Sequence, residues 1–161
     1  MPRLTLMFAV FLLAGCAYMD SYTAVPLPLE PGERLRIEQR LDLPDDGSRL
    51  YIQHGEAGGA RDYTVWEHHC SLVARMPGQT LPPIEAGTEL VVANVQRSTD
   101  FGVWERGVIN YHTLIQLEAG QHPLQALECE IWAHGYDERS YIGRTELRRL
   151  LAPVILLQES D

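Results

Sequence analysis

Apolar and polar residues alternate along most of the chain beyond position 33, which is the period of a β-strand with one buried face. The alternation predicts strands near positions 35–43, 50–52, 63–75, 90–95, 109–117 and 127–133. The stretch 90–95 is apolar at both parities, which predicts a central strand with both faces covered. The turn sequence Pro44-Asp45-Asp46-Gly47 separates the first two segments, so we expect them to form a hairpin.

The period changes near the C-terminus. Leu147, Leu150 and Leu151 are at helical spacing and predict a short helix that begins near Thr145 and ends before a proline. The apolar residues 154–157 then predict a last strand. Short strands separated by glycine and proline turns, with a single helix, predict an all-β fold, either an antiparallel sandwich or a small barrel with one short C-terminal helix.

The N-terminus follows neither pattern. Arg3 precedes an apolar run from Leu4 to Leu13, which is too short to cross a bilayer of about 30 Å as a helix. The run ends at Leu13-Ala14-Gly15-Cys16, which resembles the lipobox of bacterial lipoproteins. The resemblance implies that residues 1–15 are a signal peptide and that Cys16 is acylated. The alternative is an N-terminal helix packed on the domain with Cys16 as a buried thiol, but the run is apolar all round.

Acylation of Cys16 implies attachment to a membrane. In the lipoproteins of enteric bacteria an aspartate after the cysteine retains the protein in the inner membrane, and here that residue is Ala17. The resemblance therefore implies the outer membrane, at its periplasmic face, as the location.

Residues 16–32 are rich in proline, which favours an extended tether between the lipidated cysteine and the domain. For the second half of this stretch the alternative is that Val25, Leu27 and Leu29 dock on the domain as an irregular edge segment. Residues 33–161 are then one β-rich domain.

Once Cys16 is acylated, Cys70 and Cys129 are the remaining cysteines, and an exported chain meets an oxidising compartment. We therefore predict a disulfide between them. Two buried free thiols or a metal pair are the alternatives, and no C-x-x-C spacing supports a metal. Cys70 shares the apolar parity of its segment with Trp66 and Leu72, so we expect the disulfide to be buried.

The chain is acidic, with a formal net charge of -9, and it contains no lysine. An acidic surface argues against a nucleic-acid partner and against adsorption on anionic lipid. Membrane attachment is thus expected to be covalent, and an envelope protein is the partner class that remains. The absence of lysine also excludes Walker-type phosphate sites and Schiff-base chemistry.

The densest group of metal-ligand side chains is His68, His69 and Cys70. Neighbouring residues of a strand point to opposite faces, so only His68 and Cys70 can converge, and a disulfide removes Cys70 as a ligand. We therefore predict no metal site and no cofactor.

No catalytic motif is present. The nucleophile motif G-x-S-x-G is absent, and Asp46-Gly47-Ser48 is better explained as a turn. Potential acid–base side chains are scattered along the chain: His54, His112, His122 and His134, and the pairs Asp45 with Asp46 and Asp137 with Glu138. We therefore predict no catalytic residue and a protein that is not an enzyme.

Two further patterns have competing interpretations. The stretch from Gly55 to Gly59 lacks the helix and the lysine of a phosphate-binding loop, so a flexible loop is expected. Aromatic residues at exposed parity or in predicted loops indicate either an adhesive face or the cover of a second side of a sandwich. These residues are Tyr51, Trp104, Trp132, Tyr136 and Tyr141.

The sequences Tyr51-Ile52-Gln53, Asp62-Tyr63, His69-Cys70 and Leu127-Glu128-Cys129 resemble a group of uncharacterised lipoproteins from gammaproteobacteria. The resemblance implies no activity and no site residues. The leading hypothesis is a lipid-anchored, disulfide-bonded β-domain that acts as a binding or structural accessory of the cell envelope. A carrier of a lipid or other apolar ligand and an enzyme of unrecognised type are the alternatives.

Overall fold

The structure is a computed structural model that describes residues 26–44, 49–76, 81–103, 107–120, 122–135 and 140–158. Within these ranges the chain forms eight strands and one helix, which confirms the predicted all-β fold with one short C-terminal helix. The strands are β1 (Arg34–Ile37), β2 (Arg49–Gln53), β3 (Glu56–Gly58), β4 (His69–Ala74), β5 (Glu89–Val103), β6 (Val108–Leu117), β7 (Leu124–His134) and β8 (Ile155–Leu157). The helix, α1 (Arg144–Leu151), lies between β7 and β8.

The eight described strands form one sheet in the order β3-β2-β4-β7-β6-β5-β1-β8. Neighbouring strands are antiparallel, and the sheet curls into a half-barrel with β3 and β8 at its two edges. The chain direction reverses directly between β2 and β3, between β5 and β6, and between β6 and β7, so these pairs are neighbours in sequence and in the sheet.

The predicted hairpin between segments 35–43 and 50–52 is wrong. β1 pairs instead with β5, where Leu35 lies opposite Leu90, and with β8, where Leu35 lies opposite Leu157. Alternation decides which face of a sheet a side chain occupies, but main-chain hydrogen bonds are the same for any partner strand. The pattern therefore does not reveal which strand lies next to β1.

Two strand predictions need a narrower correction. The segment 63–75 becomes a strand only at His69, and Trp66 lies in a turn with 56% of its surface exposed, so it does not share a buried parity with Cys70. In the segment 90–95 Leu90, Val92 and Val95 are buried and Ala93 is exposed, because a register shift between Val92 and Asn94 changes the parity that faces the core. β5 thus has strands on both sides but a core on only one of its faces.

One face of the sheet, the core face, carries a continuous apolar cluster that the helix covers. Leu147 and Leu151 of α1 are fully buried, at 0% exposure, and α1 contacts β2, β4 and β8. Burying a leucine side chain contributes about 1.5–3 kcal/mol, so this covering stabilises both helix and sheet. Cys70 and Cys129 lie in the same cluster and form the predicted disulfide.

Residues 26–32, the second half of the predicted tether, lie against the domain. Leu29 is 1% exposed, and the guanidinium groups of Arg97 and Arg144 donate hydrogen bonds to the carbonyls of Pro26 (2.9 Å) and Pro28 (3.4 Å). Leu29 thus follows the docked alternative, whereas Leu27 is 44% exposed and Val25 lies outside the described residues. The predicted signal peptide 1–15, the predicted lipidation site Cys16 and positions 17–25 lie outside the described residues. In the part of the chain that the structure describes, no helix has the length and apolar content needed to cross a membrane.

Candidate functional site

The face of the sheet opposite the core, the polar face, holds polar side chains that are unusually well buried. His69 and Ser71 of β4 are 2% exposed, and Asn110 of β6 is 5% exposed. A sheet face that only meets water leaves such side chains accessible, whereas buried polar groups require partners. The polar face is therefore the part of the molecule where a function is best sought.

Two strands bring three ionisable side chains together at the centre of this face. His112 on β6 lies directly opposite Glu130 on β7, and Glu128 lies two positions before Glu130 on the same strand, so all three point to one side. One nitrogen or oxygen atom from each of the three lies within 4.8 Å of the others. We call these three residues the His–Glu cluster. In the described part of the chain it is the one group that meets this geometric criterion for metal binding.

The His112 ring has a carboxylate beside each nitrogen. Nδ1 lies 3.5 Å from Oε1 of Glu128, and Nε2 lies 3.2 Å from Oδ2 of Asp100 on β5. The second contact is short but is not aligned as a hydrogen bond, so Nε2 has no hydrogen-bond partner among the described residues. The imidazole and the Glu128 side chain are only 16% and 18% exposed, whereas Asp100 is 74% exposed.

Arg49 extends the cluster towards the β2 side of the sheet. Its guanidinium forms an ion pair and hydrogen bond with Oε2 of Glu128 and donates a second hydrogen bond, of 3.2 Å, to Oγ of Ser71. Charged contacts thus run across the polar face from Arg49 through Glu128 and His112 to Asp100. The row joins β2, β7, β6 and β5, and Ser71 adds β4.

The contacts in this row change the acidity of two of its members. The hydrogen bond with Glu128 raises the pKa of His112, partly opposed by burial. The hydrogen bond with His112, helped by Arg49 and opposed by burial, lowers the pKa of Glu128. Each partner thus favours the charged form of the other.

Aromatic side chains cover the part of the polar face that lies towards β2 and β3. Tyr51 and Tyr63 stack with centroids 3.8 Å apart, and Tyr63 packs at 4.7 Å on the ring of His69. Trp66 meets Trp132 edge-on at 5.3 Å. We call Tyr51, Tyr63, Trp66 and Trp132 the aromatic rim.

The loop between β3 and β4 supplies half of the aromatic rim, and one glutamine holds it in place. The side chain of Gln53 donates to the carbonyl of Thr64 at 3.0 Å and accepts from the Thr64 N–H at 2.9 Å. This pair of bonds anchors the loop that carries Tyr63, Val65 and Trp66. Val65 and Trp66 remain 38% and 56% exposed.

The structure separates the histidines that the sequence brought together. His68 pairs with Glu146 of α1, whereas Cys70 is in the disulfide with Cys129, so the two do not form a metal site. His69 lies on the polar face under Tyr63.

The remaining histidines lie apart from the His–Glu cluster. His54 pairs with Glu67 at 2.6 Å, and His134 is exposed at the end of β7. Burial, followed by the charge of Arg75, lowers the pKa of His122.

The glycine-rich stretch is not the flexible loop that was expected. Gly55 closes the turn between β2 and β3, and Glu56–Gly58 is the edge strand β3. Tyr141 packs edge-on against Tyr111 at 5.1 Å beside the core, so it does not contribute to an adhesive face. The other candidate positions Asp45, Asp46, Gly47, Ser48, Trp104, Tyr136, Asp137 and Glu138 lie outside the described residues.

The sequence contained part of the information needed to find the His–Glu cluster. The polar parity of β6 and β7 includes His112, Glu128 and Glu130. Of these, only His112 was named from the sequence as a potential acid–base residue. Pairing β6 with β7 in the observed register would have placed His112 opposite Glu130. That register depends on the connection between the strands, which alternation does not define.

The resemblance to gammaproteobacterial lipoproteins stays a prediction from the residues quoted above. No protein-family model matches the chain, and no curated protein or solved structure is significantly similar to it.

Proposed function

We propose that this protein is a lipoprotein of the bacterial cell envelope, anchored through Cys16, whose domain binds a protein partner with the aromatic rim of its polar face. The observation that carries the binding role is Trp66, which is 56% exposed although it packs on Trp132. Large aromatic side chains that stay accessible are typical of the residues that dominate protein interfaces.

The local structure supports a preformed binding surface. Val65, which is 38% exposed, lies next to Trp66, and the Gln53 bonds to Thr64 hold both residues against the sheet. A surface that is ordered before binding loses less conformational entropy when the partner arrives. Because the chain has a formal net charge of -9, a partner with basic residues at its contact surface is the best electrostatic match.

Site-specific photocrosslinking in intact cells tests the binding role. A photoreactive amino acid at position 65 leaves Trp66 unchanged, and the same amino acid at Leu156 is a matched control because that residue is 37% exposed and lies on β8, at the opposite edge of the sheet. We expect a defined protein adduct from position 65 that is absent from position 156. Adding Trp66→Ala should remove the adduct. Equal adducts at both positions, or an adduct that persists without Trp66, would contradict the proposal.

The anchor is tested separately, because a binding role does not depend on it. We expect labelled palmitate to be incorporated into the wild-type protein and not into Cys16→Ser. Mass spectrometry of the native product should show a lipidated cysteine as its first residue, and the protein should fractionate with the outer membrane. An uncut leader on the wild-type chain, or an unmodified amino terminus, would refute the anchor and leave the binding test unaffected.

The carrier and enzyme alternatives have weaker support. A surface cleft of about 510 Å³ lined by Pro82, Pro83, Ile84 and Pro123 is where an apolar ligand would be sought, but Glu85 and Glu89 line it as well. The His–Glu cluster has acid–base side chains without a nucleophile in the described contacts. We therefore propose no catalytic role.

A further inference from the structure

The His–Glu cluster contains features that its protein contacts do not explain. The cluster lies on β6 and β7, which pair along most of their length. One polar atom from each of His112, Glu128 and Glu130 lies within 4.8 Å of the others. The His112 and Glu128 side chains are shielded from solvent, at 16% and 18% exposure. Two carboxylates this close need positive charge between or beside them, which Arg49 supplies on the Glu128 side and which a bound cation would supply between them.

A neighbouring amide has a buried oxygen that its protein contacts leave unpaired. Asn110 is 5% exposed, and its Nδ2 donates a hydrogen bond of 2.9 Å to Oε2 of Glu130. Its Oδ1 is buried and has no hydrogen-bond partner among the described residues. A buried acceptor without a hydrogen bond is unfavourable, so this oxygen favours a ligand that brings a donor or a positive charge near the cluster.

The surroundings of the histidine match those of a metal ligand. In metal sites the ring nitrogen that does not bind the metal is usually held by a carboxylate or a carbonyl. Here Nδ1 faces Glu128, whereas Nε2 lies 3.2 Å from the Asp100 carboxylate. Because Asp100 is largely exposed, a small rotation of its side chain would align it with the N–H of Nε2.

We propose that His112, Glu128 and Glu130 bind one divalent transition-metal ion of the zinc type, with Asp100 orienting the imidazole. One nitrogen and two carboxylate oxygens are ligands that zinc accepts, with a water in the fourth position. Ligands at about 2.0–2.2 Å from zinc lie roughly 3.3–3.6 Å from each other, so side-chain rotations of about 1 Å would complete the site. Arg49, whose side chain is 35% exposed, would have to turn away from Glu128 as the metal binds.

Zinc itself is the probe for the test. The full chain, purified in detergent and stripped with a chelator, is titrated with zinc by calorimetry. We expect saturable binding of one ion per chain with a micromolar or tighter Kd. His112→Gln and Glu130→Gln should each weaken binding at least about tenfold. His68→Gln is the matched control, since it removes the other partly buried histidine–carboxylate pair, and it should leave the Kd within about twofold.

A spectroscopic measurement on the wild-type protein keeps the proposal testable if a variant fails to fold. The X-ray absorption spectrum of the zinc complex should show an oxygen and nitrogen shell with one imidazole and no sulfur. Wild-type protein that binds no zinc below about 100 µM, a sulfur shell, or folded His112→Gln that binds like the wild type would each overturn the proposal. None of these outcomes bears on the aromatic rim, so the proposed function stands or falls independently.

Discussion

Cys70 and Cys129 lie directly opposite each other on the antiparallel strands β4 and β7, with their Cα atoms 4.0 Å apart and their sulfurs joined. This close approach is typical of a pair whose main-chain groups do not bond to each other. The bridge connects two adjacent interior strands of the sheet and closes a long loop, since the cysteines have a sequence separation of 59.

We expect loss of the disulfide to destabilise the fold. A loop of this length corresponds to about 4 kcal/mol in the chain-entropy model, and measured values for disulfides cluster at about 2–4 kcal/mol. Replacing both cysteines, Cys70→Ala with Cys129→Ala, should lower the free energy of unfolding in urea by that amount. Reductant should lower the stability of the wild type similarly and leave the double variant unchanged. A wild type that is insensitive to full reduction would contradict this prediction.

The docked segment before β1 should contribute to stability through a single side chain. Leu29 is 1% exposed and Leu27 is 44% exposed. We expect Leu29→Ala to cost about 2–5 kcal/mol of unfolding free energy, as for a core leucine, and Leu27→Ala to change it by less than about 0.5 kcal/mol. Denaturant unfolding measures both. If both substitutions changed the unfolding free energy equally little, the segment would behave as a free tether.

Substituting two glycines that both have left-handed backbone distinguishes the cost of backbone strain from the cost of a steric clash. Gly55 (φ +77°) and Gly87 (φ +86°) both disfavour a side chain, but a Cβ on Gly55 would lie 2.2 Å from the carbonyl oxygen of Ala152, whereas a Cβ on Gly87 would meet nothing within 4 Å. Gly87→Ala should cost about 1–2 kcal/mol. Gly55→Ala should cost about 1–3 kcal/mol more, because the turn must move away from the end of α1. Thermal unfolding compares the stabilities of the two variants. A larger loss of stability for Gly87→Ala than for Gly55→Ala would refute the close packing of Gly55 on Ala152.

The stacked tyrosines predict a pH effect in the alkaline range. Burial, and secondly the hydrogen bond with Tyr63, raises the pKa of Tyr51 to about 12 from its ordinary value of 10.0. Between those two values the folded protein keeps a proton that the unfolded chain releases, so stability should fall as the pH rises through this range.

Absorbance titration of tyrosinate tests the assignment to Tyr51. The difference between the wild type and Tyr51→Phe should titrate near pH 12, and Tyr63→Phe should move that midpoint down because the hydrogen bond is lost. A difference curve centred near pH 10 would show that Tyr51 is not shielded by its partner.

Part of the fold follows directly from the order of the residues. Cys70 and Cys129 were expected to pair because they are the two cysteines left once Cys16 is acylated, and alternation put each on the apolar parity of its strand, so a buried disulfide was predictable. The spacing of the leucines in α1 likewise predicted a helix whose apolar side covers that face.

The neighbours of each strand were decided by the tertiary structure alone. β1 pairs with β5 and β8 across long stretches of chain, because its main-chain groups bond equally well to any strand and the packing of the whole sheet selects among them. For the same reason His112, Glu130 and Asn110 became a cluster only when the register of β6 on β7 was set. The residue order thus determined the faces and the disulfide, whereas the folded sheet determined the polar site.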